Sequence, residues 1–312
     1  MNIRRFNLGT MLNLLEIDQH RSINAAARAR DVSQPSLSRG LQAIEEALGV
    51  PLFTRTATGV EPTPYGDTLL YHTRIVQNEL ERCLQDIEER RKSGRTNLHV
   101  GGTPGVIGWL LTPAILGLLR DRDDVNATLT EAMPDDLWVQ LQRGTIDLAI
   151  STPLKTSGDD AFTSVPLVRE PTCMVAGPKH SLAGRQNLGL ADLNAHRWVL
   201  PTGALDWQRR FEDEFHAAGV PPPTRIFTTN SFLALREVLV QTDSIALLPL
   251  GHVEVDLAAG TLHKLAVSHR FADVEYLAYM KRVNARPALV NSFIDRLQNR
   301  AGIRHTGYAI KT

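Results

Sequence analysis

Cysteine is scarce in this chain, and the two present, Cys83 and Cys173, lie far apart with no pairing pattern. That excludes a disulfide framework and suits a reducing compartment, with each thiol acting as a small packing residue. Long apolar runs are missing as well. No stretch approaches the roughly 18 consecutive apolar residues of a membrane span, so none is expected. Arg4 and Arg5 precede a mildly apolar run from Leu8 to Leu15 that has the outline of a secretion signal. Asn13 interrupts it, and Glu16 and Asp18 end it without a small-residue cleavage site, which argues for a cytoplasmic protein. An excess of charge is absent too: 34 Lys and Arg balance 34 Asp and Glu. Residues 1–66 hold seven Arg against six acids. Charge alone therefore argues against nucleic acid, and a DNA-binding reading must rest on local pattern.

Catalytic punctuation is also lacking. The ten histidines form no His-x-x-x-His pair and join no Cys/His cluster, so no metal motif is visible. There is no Gly-x-Ser-x-Gly elbow. Asp135-Asp136 and Asp159-Asp160 are adjacent acids of the kind that sit in solvated loops or at helix starts. An enzyme is not expected, and neither a metal nor a cofactor is called for.

What is present begins at residues 22–55. Ser22 can cap a helix over residues 24–30, since its hydroxyl can accept from an exposed amide of the first turn. Val32 sits in a turn, Ser33 caps the next helix, and Pro35 falls in its first turn, where a missing N–H costs little. Leu37, Leu41, Ile44 and Leu48 then repeat at four, three and four residues, one apolar stripe facing a core. Gly49 ends that helix. Residues 52–55 and 60–62 read as two short strands around Thr58-Gly59. Two helices joined by a tight turn and followed by a hairpin are the layout of a winged helix-turn-helix, whose second helix enters the DNA major groove.

On that second helix, Gln34 can pair with adenine through two hydrogen bonds and Pro35 can touch a thymine methyl. Ser33, Ser36 and Ser38 can donate to phosphates, although capping is the main role expected of Ser33. Arg4, Arg39 and Arg55 are candidate phosphate or groove contacts, with Arg55 on the wing able to reach a narrow minor groove.

From Asp67 to Lys92 there is neither Gly nor Pro. Leu69, Val76 and Cys83 recur every seven residues, as do Thr73, Leu80 and Ile87, giving the two columns a paired helix seam needs. Asp86 with Arg90 and Glu88 with Lys92 can pair along the outside. The residues expected at a dimer seam are Leu69, Val76, Leu80, Cys83 and Ile87; the alternative is an amphipathic helix packed on its own domain.

Residues 93–96 form a short polar hinge, after which the pattern changes. Strand-like stretches at 98–102, 125–129, 146–151, 172–177, 198–201, 225–228, 244–249 and 276–281 alternate with helical ones near 107–120, 134–143, 207–218, 232–241, 251–259 and 288–301. Such alternation argues for parallel α/β sheets, and some 200 residues suffice for two lobes. Gly101-Gly102-Thr103-Pro104-Gly105 ends one strand ahead of a helix, where small residues let backbone N–H groups and the Thr103 hydroxyl face a ligand. Thr202-Gly203 follows another strand and Asn230-Ser231 precedes another helix; each could equally be a plain cap. Together with Met133 and Pro134 they are the expected lining of a cleft between lobes. Helix N-termini favour an anion, hence a small organic acid, aromatic or not.

Over Ala26-Ala27, Val32-Ser33-Gln34-Pro35, Leu37-Ser38-Arg39, Leu41, Ile44-Glu45, Leu48-Gly49, Leu52-Phe53, Arg55, Thr63 and Gly66, the chain resembles the LysR-type transcriptional regulators. Residues 144–150 and 245–249 are similar to that family's effector domain. The resemblance implies a winged helix-turn-helix (1–66), a dimerising linker helix (67–92), a hinge (93–96) and an effector domain like a periplasmic binding protein (97–312). In the latter, lobe I spans about 97–168 and 270–302, and lobe II about 169–269. It also implies a homotetramer, a dimer of dimers, on double-stranded promoter DNA, tuned by a small co-inducer, with RNA polymerase a further candidate partner. Arg30 departs from the pattern, standing where the family usually has an apolar residue: either its stem packs and its guanidinium reaches out, or it contacts phosphate. The rival readings are a solute-binding protein, and a small-molecule-binding protein or enzyme with an appended DNA module.

Overall fold

In the computed structural model, which describes residues 7–56, 59–154, 160–202, 205–283 and 287–307, the Asn7 side chain caps the first helix by accepting from Thr10 N. Arg4, Arg5, Thr58, Asp159 and Gly203 lie outside the described residues, as does the side chain of Asp86. Among the described residues no helix is long and apolar enough to cross a membrane. Residues through Ser93, together with Gln142–Thr145, make one unit and the remainder a second.

The first unit starts with α1 (Leu8–His20), the run that has the outline of a secretion signal; Leu14 and Ile17 are buried in the core of the head. Next come α2 (Ile23–Ala29), capped by Ser22, and α3 (Gln34–Leu48), capped by Ser33 and closed by Gly49 in the left-handed region. Leu37, Leu41 and Ile44 are buried against Leu14, Ile17, Ala26, Ala27, Leu52 and Leu70. Each large side chain so buried contributes about 1.5–3 kcal/mol, enough for the stripe to orient α3 and turn its other face outward. The wing pairs β1 (Phe53–Thr56) with β2 (Gly59–Pro62). Val60 N donates to Arg21 O at 2.9 Å, and a Cβ on Gly59 (φ +142°) would collide with that carbonyl. The wing is thus stitched to the α1–α2 junction, where Arg21 itself is left-handed (φ 50°). Glu45 Oε1 accepts from Leu52 N at 2.7 Å and Phe53 N at 3.3 Å, fixing where the wing begins. Thr63 Oγ1 donates to Pro51 O and accepts from Gly66 N, which starts α4 (Pro64–Ser93).

In the second unit, one five-stranded sheet has the order β4-β3-β5-β12-β6: β3 (Thr96–Gly102), β4 (Val125–Glu131), β5 (Leu148–Ser151), β6 (Phe162–Glu170) and β12 (Val274–Lys281). The other has the order β11-β7-β10-β8-β9: β7 (Thr172–Ala176), β8 (Arg197–Pro201), β9 (Ile226–Thr229), β10 (Ser244–Pro249) and β11 (His263–Lys264). The expectation of parallel sheets is corrected. β3, β4 and β5 are parallel, as are β8, β9 and β10, but β12 and β6 are antiparallel additions to the first sheet and β7 and β11 to the second. The chain passes from the first sheet to the second at Pro171 and returns ahead of β12, so these strands are not the ends of right-handed crossover units. Helices α5 (Pro104–Val106), α6 (Thr112–Asp121), α7 (Pro134–Arg143) and α12 (Pro287–Gly307) go with the first sheet. A π-helical turn, Ile107–Leu111, joins α5 to α6. Helices α8 (Leu190–Asn194), α9 (Leu205–Ala217), α10 (Phe232–Gln241) and α11 (Leu250–Ala259) go with the second.

Candidate DNA-reading and effector sites

On α3 the buried stripe leaves Ser33, Gln34, Pro35, Ser36 and Arg39 exposed and Ser38 half-buried. Ser33 Oγ accepts from Ser36 N at 3.3 Å, the expected cap. Gln34 Nε2 donates to Ser38 Oγ at 3.0 Å, which holds the amide along the helix face it would use toward a base. Pro35 occupies the first turn and breaks no bond. Arg55 is exposed on β1. One helix face and one strand therefore carry all of the candidate contacts that fall within the described residues. Arg30 is accounted for within the protein: its Nε donates to Asn13 Oδ1 at 3.2 Å and its Nη1 lies 4.0 Å from Glu16, tying the end of α2 to α1.

Along α4, Val76, Leu80, Cys83 and Ile87 are exposed, and so is Leu84, at 67%, which the heptad columns omit. Leu69 behaves differently. It packs against the core of the head, and Thr73 is buried beside it, its hydroxyl donating to Leu69 O at 2.8 Å. The first turns of α4 thus belong to the head and only the later turns present an unpartnered apolar face. Glu88 pairs with Lys92 at 3.1 Å as expected, and with Arg91 as well, which lowers the Glu88 pKa.

The predicted cleft residues fall into two groups. In the first sheet, Gly102, Thr103 and Pro104 end β3, and Met133 and Pro134 end its parallel neighbour β4; Ala132 N donates to Gly102 O. In the second, Thr202 ends β8, and Asn230 and Ser231 end β9, where Thr202 N donates to Thr229 O. Helix α11 of the second sheet packs on α5 of the first, so these strand ends share one side of the unit. Two expectations need correction. Gly102 is small because of packing: a Cβ there would strike the Leu111 side chain. The Thr103 N–H does not face a ligand, since it donates to Ile150 O at 3.0 Å. Ser231 is an ordinary cap, accepting from Ala234 N.

The Thr103 hydroxyl does remain available. It is buried without a partner, and so are Ser151 Oγ at the end of the adjoining strand β5 and His252 Nε2 in the first turn of α11. The His252 ring stacks on Phe232, with centroids 3.9 Å apart, and burial pushes its pKa down to about 4. It also lies beside Gly105, which the Tyr276 hydroxyl approaches so closely that no Cβ would fit. Buried polar groups ordinarily find partners, so three orphans near one crevice mark a place for a polar ligand. Sequence reasoning missed Ser151, His252 and Phe232. No local pattern announces them, because what singles them out is burial. The N-terminus of α11 is already occupied from within: Gly251 N donates to Glu170 Oε2 at 2.9 Å. A groove of about 870 Å³ lies elsewhere, lined by Trp109, Ala114, Gly117, Val255, Arg296 and Arg300. Cys173 is buried in β7 with its thiol pushed up to about 11, the state of an inert packing residue.

Comparison with known proteins completes the picture. Residues 8–67 match the family described as bacterial regulatory helix-turn-helix protein, lysR family, and residues 91–302 match the LysR substrate binding domain. The HTH-type transcriptional regulator GbpR of Azospirillum brasilense is 28% identical over 87% of this chain and 80% of its own. The hydrogen peroxide-inducible genes activator of Dickeya chrysanthemi is 29% identical over 78% and 79%. The crystal structure of full-length CbnR with its target DNA shares the fold at a TM-score of 0.60 and 20% identity, over 95% of this chain and all of that one. With both family models matched in this order, the chain belongs to the LysR family of bacterial transcriptional regulators, a DNA-binding winged helix-turn-helix joined to an effector-binding domain.

Proposed function

We propose that Gln34, Pro35, Ser36, Ser38 and Arg39 of α3, with Arg55 of the wing, read double-stranded promoter DNA, and that a small organic acid held between the two sheets of the effector domain sets when they do so. The observation that carries the first half is the division of α3 into a buried apolar stripe and an exposed face of hydrogen-bonding side chains. Pairing of two copies through Val76, Leu80, Cys83 and Ile87 on α4 supplies the two-fold symmetry that a dyad operator matches, and two such dimers make the tetramer. RNA polymerase is the natural further partner of a protein so placed on a promoter, in the cytoplasm.

An acid is favoured because Thr103, with its free hydroxyl, stands at the start of the helical run from Pro104 to Asp121, and Ser231 at the start of α10. His252 stays neutral there and can hydrogen-bond without adding charge. The reading does not extend to peroxide sensing, since Cys173 is buried and its thiol is not activated. Footprinting with the full chain on DNA upstream of its own and neighbouring genes tests the reading. Protection of a dyad is expected, altered by carboxylic acids and not by their amides. No protection with or without acids overturns the first half, and a response to amides alone overturns the second.

A further inference from the structure

Far from the crevice, three segments distant in sequence bring His180, His196 and Asp243 together. His180 follows β7, His196 immediately precedes β8, and Asp243 immediately precedes β10. All three therefore sit at one end of the second sheet, whereas Thr202 and His252 follow the opposite ends of β8 and β10. Among the described residues this is the one group of His, Cys, Asp or Glu side chains whose ligand atoms all lie within 4.8 Å of one another. No sequence motif shows it, because the spacing is set by the sheet and not by the chain.

The geometry of each group is informative. His196 Nδ1 lies 2.9 Å from Asp243 Oδ2. His180 Nε2 lies 3.2 Å from Asp243 Oδ1, yet it is out of hydrogen-bonding alignment, and its fully buried ring leaves that nitrogen without a partner. The two imidazole rings are tilted, with centroids 4.7 Å apart. Asp243 is held from behind, where Ser181 N and Oγ both donate to it. Two nitrogens bound to zinc at about 2.0–2.1 Å in tetrahedral geometry stand roughly 3.3 Å apart, and the separations from Asp243 fall close to that.

We propose that His180 Nε2, His196 Nδ1 and an Asp243 oxygen bind a divalent transition-metal ion of the zinc type, with a fourth position left to water. Two imidazoles and one carboxylate suit that class better than magnesium or calcium, which take oxygen. The ion ties the turn after β7, the approach to β8 and the approach to β10 into one clamp. Binding changes the tautomer of His180. Its Nδ1 now accepts from Leu182 N at 3.1 Å, so the ring proton is on Nε2. When the metal takes Nε2 the proton moves to Nδ1, and the Leu182 amide loses its acceptor.

The test uses the untagged full chain, stripped with chelator and titrated with zinc by calorimetry, and separately with cobalt(II) while visible absorption is recorded. One zinc per chain and the strong visible bands of tetrahedral cobalt are expected. Even outer-shell changes at metal sites cost roughly 10- to 100-fold in affinity, so loss of a direct ligand in His196→Ala or Asp243→Asn should weaken zinc binding by at least about 100-fold. His263→Ala, on exposed β11, should leave it unchanged. Amide exchange on the wild-type chain decides independently of whether the variants fold. Zinc should slow exchange at residues 242–244 and 196–198 while Leu182 speeds up. No calorimetric binding, octahedral cobalt, zinc affinity retained by both ligand variants, or exchange indifferent to zinc would each overturn the site.

Discussion

Helix α3 holds its polar side chains out to water, whereas the crevice of the effector domain hides Thr103, Ser151 and His252 from water and gives them nothing to bond. Solvent satisfies the first set, so the head is complete by itself and its surface is a reader awaiting a duplex. The second set is unsatisfied, so the effector domain carries a standing cost that a ligand can relieve. The contrast teaches that the same residue types do opposite work according to burial. Exposed, they provide contacts at little expense to the fold. Enclosed, they trade stability for recognition.

The sharpest way to break the comparison is to damage the head alone. Leu37 is 2% exposed in the core of the head, and Leu37→Ala should cost about 2–5 kcal/mol. Two-transition calorimetry should show the first unit melting lower, with DNA binding lost and the second unit unmoved. A shift of both transitions would mean the units do not fold separately.

Acid probes the other side. His252 titrates near 4 in the folded chain and at its ordinary 6.5 when unfolded, so its neutral form is the one burial tolerates. The contribution is intact above pH 6.5 and is lost as pH falls from 6.5 toward 4, by up to about 3 kcal/mol. Burial lowers the pKa of His180 in the same direction. Urea unfolding of the second unit should weaken across that window, and His252→Phe, which keeps a ring against Phe232, should flatten the slope.

Arg39→Ala should weaken operator binding by about 1–3 kcal/mol and reduce the salt slope by about one, read in a salt titration by anisotropy. The smallest effect is the most pointed. Thr103→Val and Ser151→Ala remove orphan hydroxyls, so each should raise stability by about 1 kcal/mol while weakening the co-inducer's effect. A loss of stability in either would show that the hydroxyl has a partner.

The head was legible in sequence because its logic is local. Caps at Ser22 and Ser33, the stripe of Leu37, Leu41 and Ile44, and Gly49 all act within a few turns of chain. The columns over α4 were legible as periodicity, but not where the head's core stops: Leu69 keeps the heptad spacing and yet packs inward. Strand β6 went unseen because Pro166 interrupts it. The proline is tolerated since β6 is an edge strand, and Pro166 sits where its pairing with β12 shifts register. The antiparallel placement of β7 and β12 follows from where the chain changes sheets, which alternation of strand and helix does not encode. In the crevice, the strand-end positions Thr103 and Thr202 could be read from the sequence, but Ser151 and His252 could not, because enclosure by distant segments is what makes them special.

The wide turn from Ile107 to Leu111 has a bearing on how this protein tolerates change in length. Trp109 Nε1 donates to Gly105 O on one side of it, and Arg300 Nε donates to Trp109 O on the other. Such a turn holds one residue more than an α-helix would. Deleting that residue would restore regular winding and swing everything from Thr112 onward by about 100°, carrying Ala114, Ile115 and Leu118 out of the core. The surplus residue is therefore a fixed part of the chain's arithmetic, and frame-preserving deletions here should be far less forgiving than substitutions.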